Sequence, residues 1–127
     1  SVYNGVGYKA NSYISSGNIG TKSGYYATGF IPVKHGDTLY IKNCGIQAEQ
    51  SYHRFAAYDA NKTYITSRQH NTTASQISNI GTPVYGADGN MIALLITSNY
   101  WSGVNYVRFC CSYLGEDSIV TVNEPLN

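Results

Sequence analysis

Seven carboxylates, three histidines and three cysteines are the residues of this chain whose types can carry catalysis, so their spacing is the first test. Cleaving a glycosidic bond takes two carboxyl groups facing each other across a cleft, one with a raised pKa. Asp37, Asp59, Asp88, Glu116 and Asp117 all fall at turn signals, where Asp bonds its own backbone, and Glu124 precedes Pro125 near the chain end. Glu49 is then left without a partner. Nucleophilic catalysis fares no better: His35 falls in a turn, His53 on a strand and His70 in a loop, and no G-x-S-x-G elbow surrounds a serine. Cys110 and Cys111 sit mid-strand beside Val107 and Phe109, the setting of inert buried thiols. The histidines lack zinc-ligand spacing and no loop clusters carboxylates for calcium. Neither an enzyme nor a metal or other cofactor is expected.

Recognition of a neutral ligand is better supplied. A neutral sugar offers hydroxyl groups to amide and guanidinium side chains, and a weakly polar C–H face to an aromatic ring. Thirteen tyrosines, one tryptophan and a charged fraction of only 12% furnish both kinds of partner. Tyr and Trp also give large contact area at low entropic cost, as in binding loops. The single tryptophan lies in "TSNYWSGVN", Thr97 to Asn105, a stretch of loop-forming residues. A core indole belongs on a strand or helix face, so a loop indole asks for another role. There Asn99 can fix hydroxyls while Tyr100 or Trp101 forms a stacking platform; the rival role for Trp101 is a lid over one end of the fold, or contact with another subunit. Arg54 and Arg108 fall mid-strand, opposite in facing to Phe55 and Phe109, and His53 adds a polar group beside Arg54. The candidate ligand-binding set is therefore Trp101, Tyr100, Asn99, Arg54, His53 and Tyr25.

Elements must position these residues. No stretch carries a convincing helical period, whereas short β-rich runs recur between turn signals. The expected class is all-β, a β-sandwich with jelly-roll connections and about eight strands. Residues 1–23 are expected to form an N-terminal arm, 24–123 the sandwich and 124–127 the start of a linker. The first clear strand is "YYATGFIPV", Tyr25 to Val33, ended by Pro32 at a sheet edge. "TLYIKN" follows, with Leu39 and Ile41 on one face, then a hairpin from "YHRFAAYD" and "TYITS". The polar stretch Arg68 to Pro83 is too long for a simple turn. Asp88-Gly89 turns the chain before "MIALLI", "NYVRFCCSY" alternates Val107, Phe109 and Cys111 against Arg108 and Cys110, and "SIVTVN" closes the domain.

Composition narrows the partners. The 127-residue chain has a formal net charge of +1 and no run of Lys or Arg, which argues against a nucleic acid or an anionic membrane surface. Its longest apolar run is too short to span a bilayer as a helix. Three cysteines, Cys44, Cys110 and Cys111, are an odd number with two adjacent, and free buried thiols are expected. The start at Ser1 and the end at "NEPLN" suggest a domain of a longer polypeptide.

The pieces "NGVGYKANSYISSGN", "ATGFIPVKHGDTLYIKN", "AAYDANKTYITS", "NYVRFCCSY" and "SIVTVNEPLN", in this order, resemble domains of tail, baseplate and tail-fibre proteins from phages and prophages of Gram-positive bacteria. The matching positions, such as Pro32, Gly36-Asp37 and Asp59 to Lys62, punctuate the fold and transfer no ligand residues. The resemblance implies a jelly roll similar to carbohydrate-binding modules. It also implies a place in the virion tail as an adhesion or spacer unit, attachment to bacterial cell-surface saccharide, and other tail subunits as partners; weak affinity per site would make a homo-oligomer or other repeated assembly useful. The alternatives are a structural subunit-contact domain without a sugar ligand, and an extracellular accessory module of a polysaccharide-degrading enzyme.

Overall fold

The computed structural model describes residues 5–69, 81–97 and 102–126. Over these residues the protein is a β-sandwich of two antiparallel sheets with no helix. The strands are β1 (Tyr8–Ser15), β2 (Asn18–Thr28), β3 (Ile31–Pro32), β4 (Thr38–Lys42), β5 (Arg54–Tyr58), β6 (Tyr64–Gln69), β7 (Thr82–Tyr85), β8 (Met91–Leu95), β9 (Tyr106–Cys111) and β10 (Ile119–Val122). The larger sheet runs β1-β2-β9-β5-β6, with β3 also pairing β9, and the smaller runs β10-β4-β8-β7.

Alternation along the strands builds the core. Phe55 and Ala57 on β5 and Val107, Phe109 and Cys111 on β9 face inward, and meet Leu39, Ile41, Met91, Leu94 and Val120 from the smaller sheet. The rings of Phe55 and Phe109, directly opposite in the β5–β9 register, stack with centroids 5.1 Å apart. The expected β5–β6 hairpin is present, and its loop is held by Asp59, whose Oδ1 accepts the N–H groups of Asn61 and Thr63 at 2.8 and 2.9 Å. Asp88 likewise accepts the Asn90 N–H at 2.9 Å in its turn.

Two expectations are corrected. Residues 8–23, read as an arm, form β1 and most of β2, which raises the strand count to ten among the described residues. This hairpin is polar on its solvent side and buries only Ser12, Ile14 and Gly17 before Thr21, so its sequence lacks the apolar alternation of a core strand. The strand expected from Tyr25 to Val33 is interrupted at Gly29 and Phe30. There the Gly29 N–H donates to the Gly7 carbonyl at 3.1 Å, and a Cβ on Gly29 would stand 2.7 Å from the Val6 carbonyl oxygen, so the chain passes too closely for continued pairing.

The three cysteines are free and buried, and the adjacent pair is divided by the strand pleat. Cys111 faces the core between the sheets, and Cys110 faces the opposite side under the β1–β2 hairpin. Burial raises all three thiols, Cys44 to about 12.

Candidate functional site

An irregularity in β2 starts the site. Ala10 pairs with Tyr26 and Ser12 with Thr21, so the single residue Asn11 on β1 stands opposite the four residues Lys22 to Tyr25. Asn11 takes a left-handed backbone at φ 52°, and its Oδ1 accepts the Gly24 N–H at 3.3 Å. The excess chain bulges out of the ladder, as strands do where a side chain is re-aimed. Ser23, Gly24 and Tyr25 thereby line a concavity of about 650 Å³ at one end of the larger sheet.

The turn before β5 forms the other wall. The His53 N–H closes it onto the Gln50 carbonyl at 3.3 Å, and Tyr52 is held left-handed at φ 62°. Gln50, Ser51 and His53 line the concavity, with Gln47 and Ser112 completing it. Tyr52 meets Tyr25 at a centroid distance of 4.9 Å and Tyr13 edge-on at 5.2 Å, while the Lys22 Nζ stands 5.1 Å from its ring centroid. The Tyr25 ring lies 6.4 Å from the His53 imidazole. Tyr25 and Tyr52 both keep part of their surface in solvent.

The protonation of His53 is set by its neighbour. The Gln47 N–H donates to its Nδ1 at 2.9 Å, which requires a lone pair there and leaves Nε2 as the proton-bearing donor. Burial lowers the imidazole pKa below its ordinary 6.5, so the ring is neutral at physiological pH. The wall therefore presents neutral hydroxyl, amide and imidazole groups beside the Tyr25 ring, which Tyr52 backs. That mixture suits hydroxyl-rich ligands and offers little to a strongly charged one.

Of the residues singled out from sequence, Tyr25 and His53 are brought together here. Arg54 is not: alternation turns it to the outer side of the larger sheet, opposite Cys110, where its buried Nε has no hydrogen-bond partner among the described residues. Asn99, Tyr100 and Trp101 lie outside the described residues. Arg108 also faces the outer side, with its guanidinium 4.3 Å from the Phe30 ring centroid. Sequence reading missed Tyr52, Gln47, Gln50 and Ser112. Tyr52 alone carried a signal, as an aromatic beside His53; the others are joined to the site by the turn and the bulge. Among the described residues no group of three or more His, Cys, Asp or Glu side chains is placed to hold a metal ion.

No protein-family model, curated protein or solved structure matches this chain.

Proposed function

We propose that this domain is a non-catalytic carbohydrate-binding module that attaches a tail protein to bacterial cell-surface saccharide. The observation that carries the reading is the concavity at the β2 bulge, where the Tyr25–Tyr52 pair adjoins His53, Gln47 and Gln50. The Tyr25 ring, backed by Tyr52, offers a platform for sugar C–H groups, and the imidazole and amides offer hydrogen bonds to hydroxyls. The tail context rests on the sequence resemblance. A shallow, solvated site gains little after ordering costs, so each copy binds weakly and a repeated assembly recovers strength through effective concentration.

The test is a bacterial-glycan array probed with the domain displayed multivalently, alongside Tyr25→Ala and Trp101→Ala proteins whose folding is checked by circular dichroism. Selective retention that falls about tenfold or more in Tyr25→Ala, equivalent to ~1.4 kcal/mol, supports the site. A parallel loss in Trp101→Ala extends it to the Asn99–Trp101 stretch. Silence of the wild type across the array rejects the reading.

A specific feature favours a second reading, a structural contact between copies of this chain. Val84, Ile92, Leu95 and Ile119 on the outer face of the smaller sheet are between 37% and 49% exposed. Val84, Ile92 and Leu95 border a groove of about 620 Å³, in which Lys42 is the one charged lining residue among the described residues. Contiguous exposed aliphatic surface of this kind marks interaction sites, and a face with so little charge is compatible with its own copy. Light scattering across a concentration series decides: mass rising with concentration in the wild type but not in Ile92→Lys supports the contact, and a constant monomer mass removes it.

A further inference from the structure

The site at the β2 bulge does not end at its own wall. Gln47 and Ser112 are shared with a second concavity of about 580 Å³, which extends past Gly45 to Asn90 and Tyr113. We infer that the two form one continuous groove that holds an oligosaccharide chain, with Tyr25 as the aromatic contact of one concavity, Tyr113 as that of the other, and Gln47 shared between them. This inference rests on the saccharide reading above.

Three observations carry it. First, the saddle between the concavities is built from two chain segments lying side by side: the Gly45 N–H donates to the Tyr113 carbonyl at 2.9 Å, and the Ser112 N–H to the Gly45 carbonyl at 3.0 Å. A Cβ at Gly45 would stand 2.7 Å from the Ser112 Oγ and 2.8 Å from the Tyr113 N, so glycine keeps this close approach possible and the saddle low. Second, Tyr113 is exposed yet fixed. It is 43% accessible, its hydroxyl donates to Asp117 Oδ1 at 2.6 Å, and its ring meets Tyr26 edge-on at 6.1 Å. The hydroxyl passes directly over Gly115, where a Cβ would collide with it. An aromatic held rigidly at the surface presents its face without the entropic cost of ordering a free side chain. Third, the half-buried Gln47 uses its backbone N–H to hold His53, while its side-chain amide has no hydrogen-bond partner among the described residues. Among these residues a donor and an acceptor are thus available where a sugar crossing the saddle would present hydroxyls.

A groove of this kind makes affinity depend on chain length. The probe is a set of neutral oligosaccharides, graded from monosaccharide to hexasaccharide, released from Gram-positive cell-wall polysaccharide and titrated by calorimetry against wild type, Tyr113→Ala and Tyr113→Phe. The expected result is a Kd about tenfold or more lower for the longer members than for the monosaccharide. Tyr113→Ala should erase that gain while leaving monosaccharide binding intact, and Tyr113→Phe, which keeps the ring, should retain most of it. Affinity independent of length, or a gain that survives in Tyr113→Ala, overturns the continuous groove and leaves the site beside Tyr25 standing. Absence of binding at every length overturns both.

Discussion

The outer faces of the two sheets both carry apolar patches, and the chain treats them in opposite ways. On the larger sheet Ala27, Ala56, Tyr58 and Cys110 are covered by the β1–β2 hairpin, which lays Ile14, Tyr13 and Ile19 against them. The Tyr58 hydroxyl reaches through to the Gly17 carbonyl at 2.7 Å and pins the hairpin tip. On the smaller sheet Val84, Ile92, Leu95 and Ile119 stay in solvent. Residue size separates the two. Small alanines let a second layer approach the larger sheet, and branched side chains stand up from the smaller one. The covered face is accompanied by the β2 bulge, which with the turn before β5 walls a polar concavity, whereas the bare face offers mainly apolar contact.

The largest expected effect comes from uncovering the protected face. Ile14 is 1% exposed within the second apolar cluster. Ile14→Ala should destabilise the fold by about 2–5 kcal/mol in urea denaturation, the usual range for truncating a buried aliphatic side chain. A loss below about 1 kcal/mol would mean the hairpin is only draped over the sheet, and the contrast between the faces would collapse.

A smaller effect is expected at His53. Burial holds its folded-state pKa below the ordinary 6.5, so the neutral form contributes fully above that value. As pH falls, the unfolded chain takes up the proton first, and this contribution is lost from about pH 6.5 downward through the lowered folded pKa. Protonating Nδ1 would also set a donor against the Gln47 N–H and break that bond. Thermal melts between about pH 7.5 and pH 5 should show a falling midpoint in the wild type and a flatter profile in His53→Asn. Equal slopes in the two proteins would show that His53 is not held neutral by the wall.

Much of this architecture was legible in the sequence because it follows from alternation. Phe55, Ala57, Val107 and Phe109 sit on the face their spacing predicts, and Asp59 and Asp88 hold the turns expected of them. The covering hairpin was not legible, since "YKANSYIS" satisfies most of its polar side chains in water and buries few residues. The candidate site was half legible. Tyr25 and His53 are residues of the right chemistry, but their meeting depends on an excess of chain opposite Asn11 and on a left-handed turn at Tyr52. The first is a property of register and long-range pairing, and the second puts a non-glycine residue in a backbone conformation that its type does not signal. Arg54 shows the converse: its type suggested a ligand contact, and the parity of β5 turned it away from the concavity.

The smallest expected effect lies on the bare face, and its smallness is informative. A side chain that is already about two-fifths exposed loses little on truncation or polar substitution in a monomer, so Leu95→Thr should change stability by no more than about 0.5 kcal/mol. The same substitution in an assembly that buries this face would remove apolar contact from an interface and cost about 1 kcal/mol or more, with a melting temperature that rises with protein concentration. Measuring the melt of wild type and Leu95→Thr at two concentrations therefore separates the alternatives. A near-zero, concentration-independent difference leaves the aliphatic face as tolerated surface and favours the proposed site at the β2 bulge. A large, concentration-dependent one shows that the second copy supplies for the smaller sheet the cover that the hairpin supplies for the larger.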